Sequence, residues 1–344
     1  MTEESSPAAD LLRLATAYQA SATLHAAVRL GIADALDPGP RSVAGIADAI
    51  GGNVHAAALR RLLRALVALG VVEEAPRGTF ALSAAGRTLA TGTPGSLRDL
   101  VLFFGHADMW RSWIELERCI RTGQTAGMLL FGSEDPFARY ATDPDFGPVF
   151  NRGMTANSVA SALAITRAYD FSAFRQVVDI GGGQGRLLAA ILAASPSTRG
   201  ILYDLPSVVA GAGPVLSAAG VTDRCEVVSG DMFSHVPDGG DLYVLMRVLH
   251  DWDDARAVEV LQRCRQAAQR PGVRLLVAER VLRERMTCDP RARSDALADL
   301  NMLVRTGGRE RTEDEFRALL KVAGWKLQRV IVTSGPVSLI EATP

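Results

Sequence analysis

The most constraining feature of this 344-residue chain is a short apolar run that leads through a glycine cluster into a second apolar run. Residues 177–180 read Val-Val-Asp-Ile, residues 181–185 read Gly-Gly-Gly-Gln-Gly, and residues 187–192 read Leu-Leu-Ala-Ala-Ile-Leu. This order predicts a buried strand, a tight turn and a helix, which is the first step of a parallel α/β sheet. Glycine lets the backbone turn sharply and lets a ligand approach its N–H groups, and the following helix N-terminus favours an anionic group.

The glycine spacing leaves two classes of ligand open. The dinucleotide fingerprint G-x-G-x-x-G would place its third glycine at position 186, where the chain has Arg186. The next acid at a predicted strand end is Asp204, 21 residues after Gly183. An acid there can bind the ribose hydroxyls of either NAD or S-adenosylmethionine. The loop favours S-adenosylmethionine and keeps NAD-like ligands as the main alternative.

Composition and charge argue against several classes of protein. The formal net charge is −1, so no global positive field would recruit nucleic acid or an anionic membrane. No apolar run approaches the roughly 20 residues that span a bilayer, and the chain starts with polar residues. The four cysteines lie far apart without a C-x-x-C pair, so neither a zinc site nor a disulfide framework is expected. We therefore expect a soluble cytoplasmic protein with no metal and no nucleic-acid or membrane partner.

The first hundred residues have the pattern of a winged helix-turn-helix. Apolar residues recur at helical spacing over residues 9–36, and two further helical segments, 42–52 and 54–69, are joined by a Gly-Gly turn. Two short strands follow at 70–74 and 79–82. This order of helices and strands predicts an α-helical winged-helix module.

DNA binding has to be weighed for such a module, because its second helix carries Arg60, Arg61 and Arg64. Residues 1–100 contain nine basic and nine acidic residues, whereas a DNA-binding domain has a basic surface. Three arginines on one helix are more often a solvated face or the partners of salt bridges. We therefore do not expect this module to bind DNA.

Residues 97–168 are mostly helical in pattern and rich in large side chains. Aromatic and methionine side chains at helical spacing are usually core, but as a group they can also form the wall of a pocket for a flat aromatic ligand. Both interpretations stay open for Phe103, Phe104, His106, Met109, Trp110, Trp113, Phe131, Phe137, Tyr140, Phe146, Phe150 and Met154.

From residue 175 onward, predicted strands and helices alternate regularly. Strands are predicted at 175–180, 200–203, 225–229, 241–246 and 273–278, followed by two more near 325–332 and 337–341. This β-α-β alternation predicts a doubly wound, seven-stranded sheet with its ligands at the carboxyl ends of the strands. Polar side chains follow five of these strands, which core packing does not explain: Asp179, Asp204, Asp231, Arg247, His250, Asp251 and Glu279.

His250 is the candidate general base. The unperturbed pKa of histidine is about 6.5, so an imidazole can accept a proton near neutral pH. Its other ring nitrogen needs an acceptor, and Glu279 and Glu310 are the candidates. Glu310 lies just before a helix that starts with the capping box Thr312 and Glu315. A lone histidine is often structural, but its position beside Asp251 at a strand end favours a functional role.

Five motifs together resemble the S-adenosylmethionine-dependent O-methyltransferases of the plant caffeate type and their bacterial relatives that act on aromatic natural products. The resemblance covers nearly the whole chain. It rests on five segments in the same order: Asp179-Ile180-Gly181-Gly182-Gly183-Gln184-Gly185, Tyr203-Asp204-Leu205-Pro206, Gly230-Asp231-Met232-Phe233, Leu249-His250-Asp251-Trp252-Asp253-Asp254 and Gly307-Gly308-Arg309-Glu310-Arg311-Thr312.

The resemblance implies a fold and an assembly. It implies an α/β protein in which a Rossmann-like, seven-stranded class I methyltransferase domain follows an α-helical winged-helix dimerisation domain. We divide the chain into a dimerisation domain at 1–95, a helical substrate-binding segment at 96–168 and an S-adenosylmethionine-binding domain at 169–344. A homodimer and an aromatic small-molecule acceptor are the expected partners.

The resemblance also implies roles for individual residues. The methionine part of S-adenosylmethionine would lie on the loop at Gly181 and Gly183, the ribose at Asp204, and the adenine between Asp231 and Met232. His250 would deprotonate the acceptor hydroxyl without a metal, and Glu279 and Glu310 would bracket its imidazole. Further candidates are Asp251 for catalysis, Asp179, Leu205 and Arg247 for the cofactor, and Trp110, Phe150, Met154, Asn301 and Arg305 for the acceptor.

Two positions depart from the plant pattern. The plant enzymes have a lysine four residues before the histidine, where this chain has Met246 with Arg247 beside it. The side chain of Arg247 would point elsewhere if the strand continued regularly. Arg305 replaces an asparagine near the acceptor, which argues against a phenylpropanoid of the monolignol type.

The expected activity is therefore methylation of a phenolic hydroxyl on an aromatic, polyketide-like intermediate. Three other functions are the alternatives: a tailoring enzyme that uses S-adenosylmethionine without methyl transfer, a winged-helix regulator that senses a ligand, and an NAD-linked oxidoreductase. The presence of His250 with both glutamates favours methyl transfer over all three.

Overall fold

The computed structural model describes residues 6–132 and 136–344, in two compact units, Met1–Trp110 and Arg111–Pro344. The predicted boundaries at residues 95 and 168 do not coincide with this division. The helix that follows residue 95 groups with the first unit, and most of the predicted substrate-binding segment groups with the second. The three-part division of the chain therefore stays a prediction.

The first unit has the predicted winged-helix arrangement. Two helices precede a β-hairpin whose strands pair antiparallel, and a short strand before the first of these helices extends the sheet by pairing with the second strand of the hairpin. The elements are α1 (Pro7–Ala15), α2 (Tyr18–Arg29), α3 (Ile32–Leu36), β1 (Arg41–Ser42), α4 (Val43–Ile50), α5 (Ala56–Ala68), β2 (Val72–Ala75), β3 (Thr79–Leu82), α6 (Ala84–Arg87) and α7 (Arg98–Phe104).

Helix caps and an apolar core hold this unit together. The Ser42 hydroxyl caps α4 by accepting from the Gly45 N–H, which satisfies one of the free donors at the helix start. One face of α4, α5 and the hairpin is buried, with Ile46, Leu63 and Phe80 fully shielded from solvent. The helices and strands predicted over residues 42–82 therefore enclose an apolar core.

The second unit contains the α/β sheet and the helices before it. Helix α8 (Ala107–Ile114) contains the boundary between the units. The other elements are α9 (Leu116–Thr122), α10 (Ala126–Phe131), α11 (Pro136–Thr142), α12 (Phe146–Ala168), β4 (Gln176–Ile180), α13 (Arg186–Ala194), β5 (Arg199–Asp204), α14 (Pro206–Val209), α15 (Ala212–Ala218), β6 (Cys225–Ser229), β7 (Leu242–Met246), α16 (Asp254–Ala267), β8 (Arg274–Glu279), β9 (Val281–Leu282), α17 (Pro290–Arg305), β10 (Arg311–Thr312), α18 (Glu313–Val322), β11 (Lys326–Val332) and β12 (Ser338–Thr343).

The seven-stranded sheet has the order β11-β12-β8-β7-β4-β5-β6. Strands β4 to β8 pair in parallel, whereas β12 pairs antiparallel with β8 and β11. The chain runs outward from β4 to β6 and then returns to the other side of β4 with β7. The carboxyl ends of β4 and β7 therefore form the topological switch point, where open α/β sheets bind their ligands.

Helices cover both faces of this sheet, which explains why its central strands are almost continuously apolar. Val177 and Val178 point to opposite faces of β4 and are both fully buried, each in a separate hydrophobic cluster. No helix among the described residues is long and apolar enough to cross a membrane.

Three details differ from the sequence prediction. The pattern of residues 207–219 predicts one helix, but the helix is interrupted at 210–211, where Gly211 lies against the Gln184 side chain. A short parallel ladder between β9 and β10 was not predicted. Residues Leu249–Asp251 form a 3-10 turn that was not predicted, and because residues 249–252 include the predicted base His250, we call them the catalytic turn.

Candidate active site

The glycine loop after β4 packs tightly against neighbouring elements. Gly181 and Gly183 have φ values of +64° and +63°, a left-handed conformation that favours glycine. A Cβ on Gly181 would come within 2.7 Å of a Val248 methyl carbon, and one on Gly182 within 2.5 Å of Leu202. The loop therefore has bare backbone beside the N-terminus of α13, where a polar or anionic ligand group is stabilised.

Asp204, at the end of β5, holds this loop in place. Its Oδ2 accepts a hydrogen bond from the Gly183 N–H at 2.8 Å, and its Oδ1 accepts one from the Leu205 N–H at 2.7 Å. Burial raises the pKa of the Asp204 carboxyl, and the two N–H donors partly offset that effect. Each oxygen keeps a second lone pair, and such paired acceptors suit a ribose diol.

Asp179 lies buried behind the loop. Its side chain is almost completely shielded, and neither carboxylate oxygen has a hydrogen-bond partner among the described residues. Burial, and then the nearby charge of Asp204, raise the pKa of Asp179 to about 7. A buried carboxyl without partners is more stable protonated, so Asp179 loses its proton only near neutral pH.

The residues after β6 form an ordered turn at the same edge of the sheet. The Oδ1 atom of Asp231 accepts from the Phe233 N–H at 2.9 Å. Met232 is half-buried and packs on the hydrophobic core beneath the sheet. Asp231 and Met232 therefore flank one end of the carboxyl edge on which Asp179 and Asp204 lie.

His250 lies in the catalytic turn, with carboxylates around its imidazole. Its Nδ1 is 3.0 Å from Oε1 of Glu310 and 3.6 Å from Oε2 of Glu279, and its Nε2 is 3.9 Å from Oδ2 of Asp251. The structure thus brings together the four side chains that the sequence predicted for catalysis. In the neutral imidazole, a proton on Nδ1 that is donated to Oε1 of Glu310 would leave Nε2 as the nitrogen that can accept a proton.

Backbone geometry explains how both glutamates reach this imidazole. Glu279 ends β8, and its Oε1 accepts from the N–H groups of Val248 and Leu249, each at 2.9 Å. Glu310 lies in the segment before α18, which approaches the catalytic turn so closely that a Cβ on Gly308 would be 2.1 Å from the His250 carbonyl oxygen. Only glycine fits there, so the Gly-Gly pair ahead of Glu310 has a steric role.

The charges of this group strongly favour a protonated imidazole. Burial alone would lower the pKa of His250, but the carboxylates of Glu279, Glu310 and Asp251 together raise it to about 10. Burial and the neighbouring carboxylates also raise the pKa of Glu279 to about 7, although His250 opposes this, and burial raises that of Asp251 to about 6. The site therefore stabilises the imidazolium that proton abstraction would produce.

Arg247 marks the switch point. It follows β7 directly, and its φ of +55° is the one positive value found for a non-glycine residue in the described chain. From the sequence, we expect the Arg247 side chain to point elsewhere only if the strand continues regularly. The positive φ shows that the strand does not continue regularly at Arg247. Its Nη2 lies 3.2 Å from the Ser161 hydroxyl of α12. Burial, and then the positive charge of Arg280, lower the pKa of Arg247.

An aromatic cluster lies beside the catalytic turn. The Phe150 ring of α12 is 4.8 Å from that of Tyr140 and 6.2 Å from that of Phe137 in α11. Phe137 is in turn 5.7 Å from Trp252, the last residue of the catalytic turn. Met154 lies one helical turn after Phe150 on α12. The acceptor candidates of α12 are thus linked to the turn that carries His250.

The aromatic side chains, for which the sequence left both a core role and a pocket role open, differ in burial. Tyr140 and Phe146 are buried core residues, whereas Phe137, Phe150 and Trp252 are half-buried. Trp252 was not among the predicted site residues. The sequence signal that could have identified it is its place directly after His250 and Asp251.

The other three acceptor candidates have different surroundings. Asn301 on α17 accepts a hydrogen bond from the Trp113 indole at 3.2 Å. Arg305 is buried, donates to the Tyr140 hydroxyl and lies over the Tyr140 ring at 5.1 Å. Trp110 belongs to the first unit, where its indole donates to the Phe104 carbonyl at 3.0 Å. Its role toward an acceptor stays a prediction.

Ligand atoms of His250, Glu279 and Glu310 lie within 4.8 Å of one another, a spacing also found around divalent cations. The 3.0 Å contact between Nδ1 and Glu310 is, however, an ordinary hydrogen bond.

Comparison with known proteins identifies the family. Residues 113–326 match the O-methyltransferase domain, and residues 12–92 match the O-methyltransferase dimerisation domain. The chain belongs to the O-methyltransferase family. Membership confirms the expected fold and enzyme class, and it decides the cofactor choice left open by the glycine loop in favour of S-adenosylmethionine.

Three relatives represent the similarity within this O-methyltransferase family. Phenazine O-methyltransferase of Lysobacter antibioticus is 40% identical over 334 residues, which cover 97% of this chain and 95% of the relative. The 8-amino-8-demethylriboflavin N,N-dimethyltransferase of Streptomyces davaonensis is 36% identical, with 88% and 86% covered. A neocarzinostatin-biosynthesis O-methyltransferase, solved with S-adenosylmethionine and 2-hydroxy-5-methyl naphthoic acid, has a TM-score of 0.76 at 33% identity, with 94% and 95% covered.

Proposed function

We propose that this O-methyltransferase methylates a phenolic hydroxyl of a planar aromatic natural-product intermediate, of polyketide-like type, with His250 as the general base. The observation that carries the proposal is the arrangement of His250, whose Nδ1 faces two glutamates while an aromatic cluster lies beside its turn. Phenazine and naphthoate, which appear in the names of relatives, are planar polycycles, and this supports the same acceptor class.

The carboxyl edge of the sheet would hold S-adenosylmethionine. The bare backbone of Gly181 and Gly183 is suited to the methionine part, and Asp204, next to Leu205, offers its free lone pairs to the ribose diol. Asp231 and Met232 would flank the adenine. Asp179 would support the loop from behind, and the Arg247 guanidinium at the switch point would contact the polar end of the cofactor.

The methyl transfer follows from these positions. As the acceptor oxygen approaches the sulfonium methyl carbon, its proton moves to Nε2 of His250. The oxygen lone pair forms the new C–O bond while the C–S bond breaks. The electron pair of the C–S bond remains on sulfur, which gives S-adenosylhomocysteine. Glu310 and Glu279 stabilise the resulting imidazolium, and Asp251, 3.9 Å from Nε2, orients the ring. Alignment of the two reactants supplies much of the remaining rate.

The base favours an oxygen nucleophile. A neutral phenol attacks weakly until its proton is removed, whereas an aromatic amine already has a lone pair and needs a base less. Burial lowers the pKa of His250, but three carboxylates around the imidazole raise it to about 10, and a base of this pKa is suited to deprotonating a phenol. N-methylation, the activity named for the riboflavin relative, is therefore the second candidate.

Phe150 and Met154 would contact the ring system of the acceptor, with Asn301 and Arg305 as further contacts. The cluster of half-buried rings next to the catalytic turn supports stacking with a flat acceptor.

We also propose a homodimer. Helix α1 has no buried residue, and its Leu11 and Leu12 side chains are 69% and 66% exposed. Exposed leucines on one helix of a dimerisation domain suit a surface that a second copy covers. A cytoplasmic location without nucleic-acid or membrane partners completes the proposal.

Parallel calorimetric titrations with S-adenosylmethionine, S-adenosylhomocysteine and NAD test the cofactor. Micromolar binding of the first two without binding of NAD is expected. The 2-hydroxy-5-methyl naphthoic acid of the relative then serves as the first acceptor probe. Binding of NAD alone would overturn the proposal.

A further inference from the structure

Arg311 is a buried cation that the mechanism above does not use. Its side chain is 1% exposed, and it is the largest fully buried side chain among the described residues. Its guanidinium donates to the carbonyl oxygens of Leu249 at 3.0 Å and Trp252 at 2.9 Å, and its Nε donates to Asp254 at 2.9 Å. Burying a guanidinium is costly unless its donors are satisfied, so these contacts specify its position.

The acceptors of Arg311 are the two ends of the catalytic turn. The carbonyls of Leu249 and Trp252 enclose His250 and Asp251 between them. A guanidinium is a rigid planar group, so hydrogen bonds from its two Nη atoms fix both ends of the turn relative to each other. A movement of the turn that displaced the imidazole would have to break at least one of these bonds.

Arg311 also belongs to the segment that carries the carboxylates. It directly follows Glu310, and in the β9-β10 ladder it pairs with Val281, two residues after Glu279. One residue therefore links the imidazole-bearing turn, the segment of Glu310 and the chain that leaves Glu279. The backbones of two of these segments are already in close contact at Gly308.

We propose that Arg311 is a positioning residue that sets the separation between Nδ1 of His250 and the Glu310 carboxylate. Its side chain is 1% exposed and is bonded to the main chain of the turn, so it acts through His250. The effect of Arg311 on turnover rests on the proposed role of His250 as the base. Its effect on the position and titration of the imidazole is independent of that role. When the turn is held, the imidazole keeps the hydrogen bond that orients Nε2 toward the acceptor.

The alternative is that Arg311 only stabilises the fold, and the chain offers a matched control for it. Arg224 also donates to main-chain carbonyls, to Thr198 at 2.9 Å, Ser195 at 3.1 Å and Leu192 at 2.7 Å. It directly precedes β6, at the edge of the sheet opposite the site. Substitution of Arg224 thus removes the same chemistry without touching the catalytic turn.

The test is an NMR titration of the histidine ring carbons in the full-length protein, with His250→Gln to assign the signal. We compare wild type with Arg311→Lys, Arg311→Met, Arg224→Lys and Arg224→Met. In the Arg311 variants we expect the His250 midpoint to fall by at least one pH unit, and in the Arg224 variants we expect the wild-type titration. The lysine variant retains a positive charge, so it remains informative if the methionine variant does not fold.

Turnover of 2-hydroxy-5-methyl naphthoic acid provides the second measurement. Since misplacement of a catalytic group by about 1 Å can cost on the order of 100-fold, we expect Arg311→Lys to lower kcat by about 10- to 100-fold. The KM for S-adenosylmethionine should stay near the wild-type value. An unchanged His250 titration in Arg311→Lys, with only a lower melting temperature as in Arg224→Lys, would overturn the proposal. A shifted titration without any effect on turnover would retain it and instead refute His250 as the base.

Discussion

Glu310→Gln tests the electrostatics of the site with little change in shape. Glutamine retains a side-chain oxygen that can accept from Nδ1, but it removes the negative charge 3.0 Å from that atom. Unit charges about 4 Å apart interact by about 4 kcal/mol at an effective dielectric constant of about 20. Since one pKa unit corresponds to about 1.36 kcal/mol, an interaction of this size corresponds to about 3 units.

The expected shift is smaller, because Glu279 remains 3.6 Å from Nδ1 and takes over part of the interaction. We expect the pKa of His250 to fall from about 10 by about 1–2 units in Glu310→Gln. A base works only when it is deprotonated, so kcat/KM should level off at a correspondingly lower pH. The plateau itself should be lower, because the weaker base stabilises less imidazolium.

The assay is the pH dependence of kcat/KM with the naphthoic acid probe, together with the NMR titration of His250. Glu341→Gln is the matched control, because Glu341 is also a buried carboxylate but does not face His250. It lies in β12, and its carboxylate binds Arg274, Arg329 and Tyr169. An unchanged His250 midpoint in Glu310→Gln would refute the electrostatic reasoning.

Three further predictions concern the cofactor edge. Asp179→Asn should reduce the loss of stability with rising pH, as denaturant titrations from pH 4 to 8 would measure. The pKa of Asp179 in the folded protein, about 7, exceeds its unfolded value, so the stabilising contribution of this carboxyl is complete below about pH 4 and is lost as pH rises to 7. Asparagine does not titrate and therefore lacks this change. Asp204→Ala should weaken S-adenosylhomocysteine binding by at least tenfold in calorimetry, because the Gly183 and Leu205 N–H groups lose their acceptor, and unchanged affinity would place the ribose elsewhere. Arg247→Gly should relieve roughly 1–3 kcal/mol of left-handed backbone strain, so its melting temperature should not fall, yet cofactor affinity should drop. Arg247→Lys, which keeps both charge and strain, is its control, and a glycine variant that binds the cofactor as wild type does would contradict the assignment.

The strands and their polar ends could be predicted because both signals are local. The central parallel strands are continuous apolar runs, and the acids Asp179, Asp204 and Glu279 fall at or near their carboxyl ends. The capping box of Thr312 and Glu315 fixed the start of α18. Patterns within a few residues determine such features.

Other features depend on contacts between distant segments. Nothing in the sequence around Arg247 marks its positive φ, which occurs where β7 ends and where the guanidinium donates to Ser161 of the distant α12. The break before α15 falls at Gly211, which lies against the side chain of Gln184, 27 residues away in the sequence. The hydrogen bonds of Arg311 to the catalytic turn span about 60 residues of sequence and were invisible for the same reason.

The central claim is that His250 removes the acceptor proton during methyl transfer. The most direct test compares wild type with His250→Ala for transfer of labelled methyl from S-adenosylmethionine to 2-hydroxy-5-methyl naphthoic acid, with S-adenosylhomocysteine affinity measured in both. Since a general base contributes about 10²- to 10⁴-fold, the variant should lose at least 100-fold in kcat while it keeps wild-type cofactor affinity. Turnover within a few-fold of wild type in His250→Ala would contradict the claim.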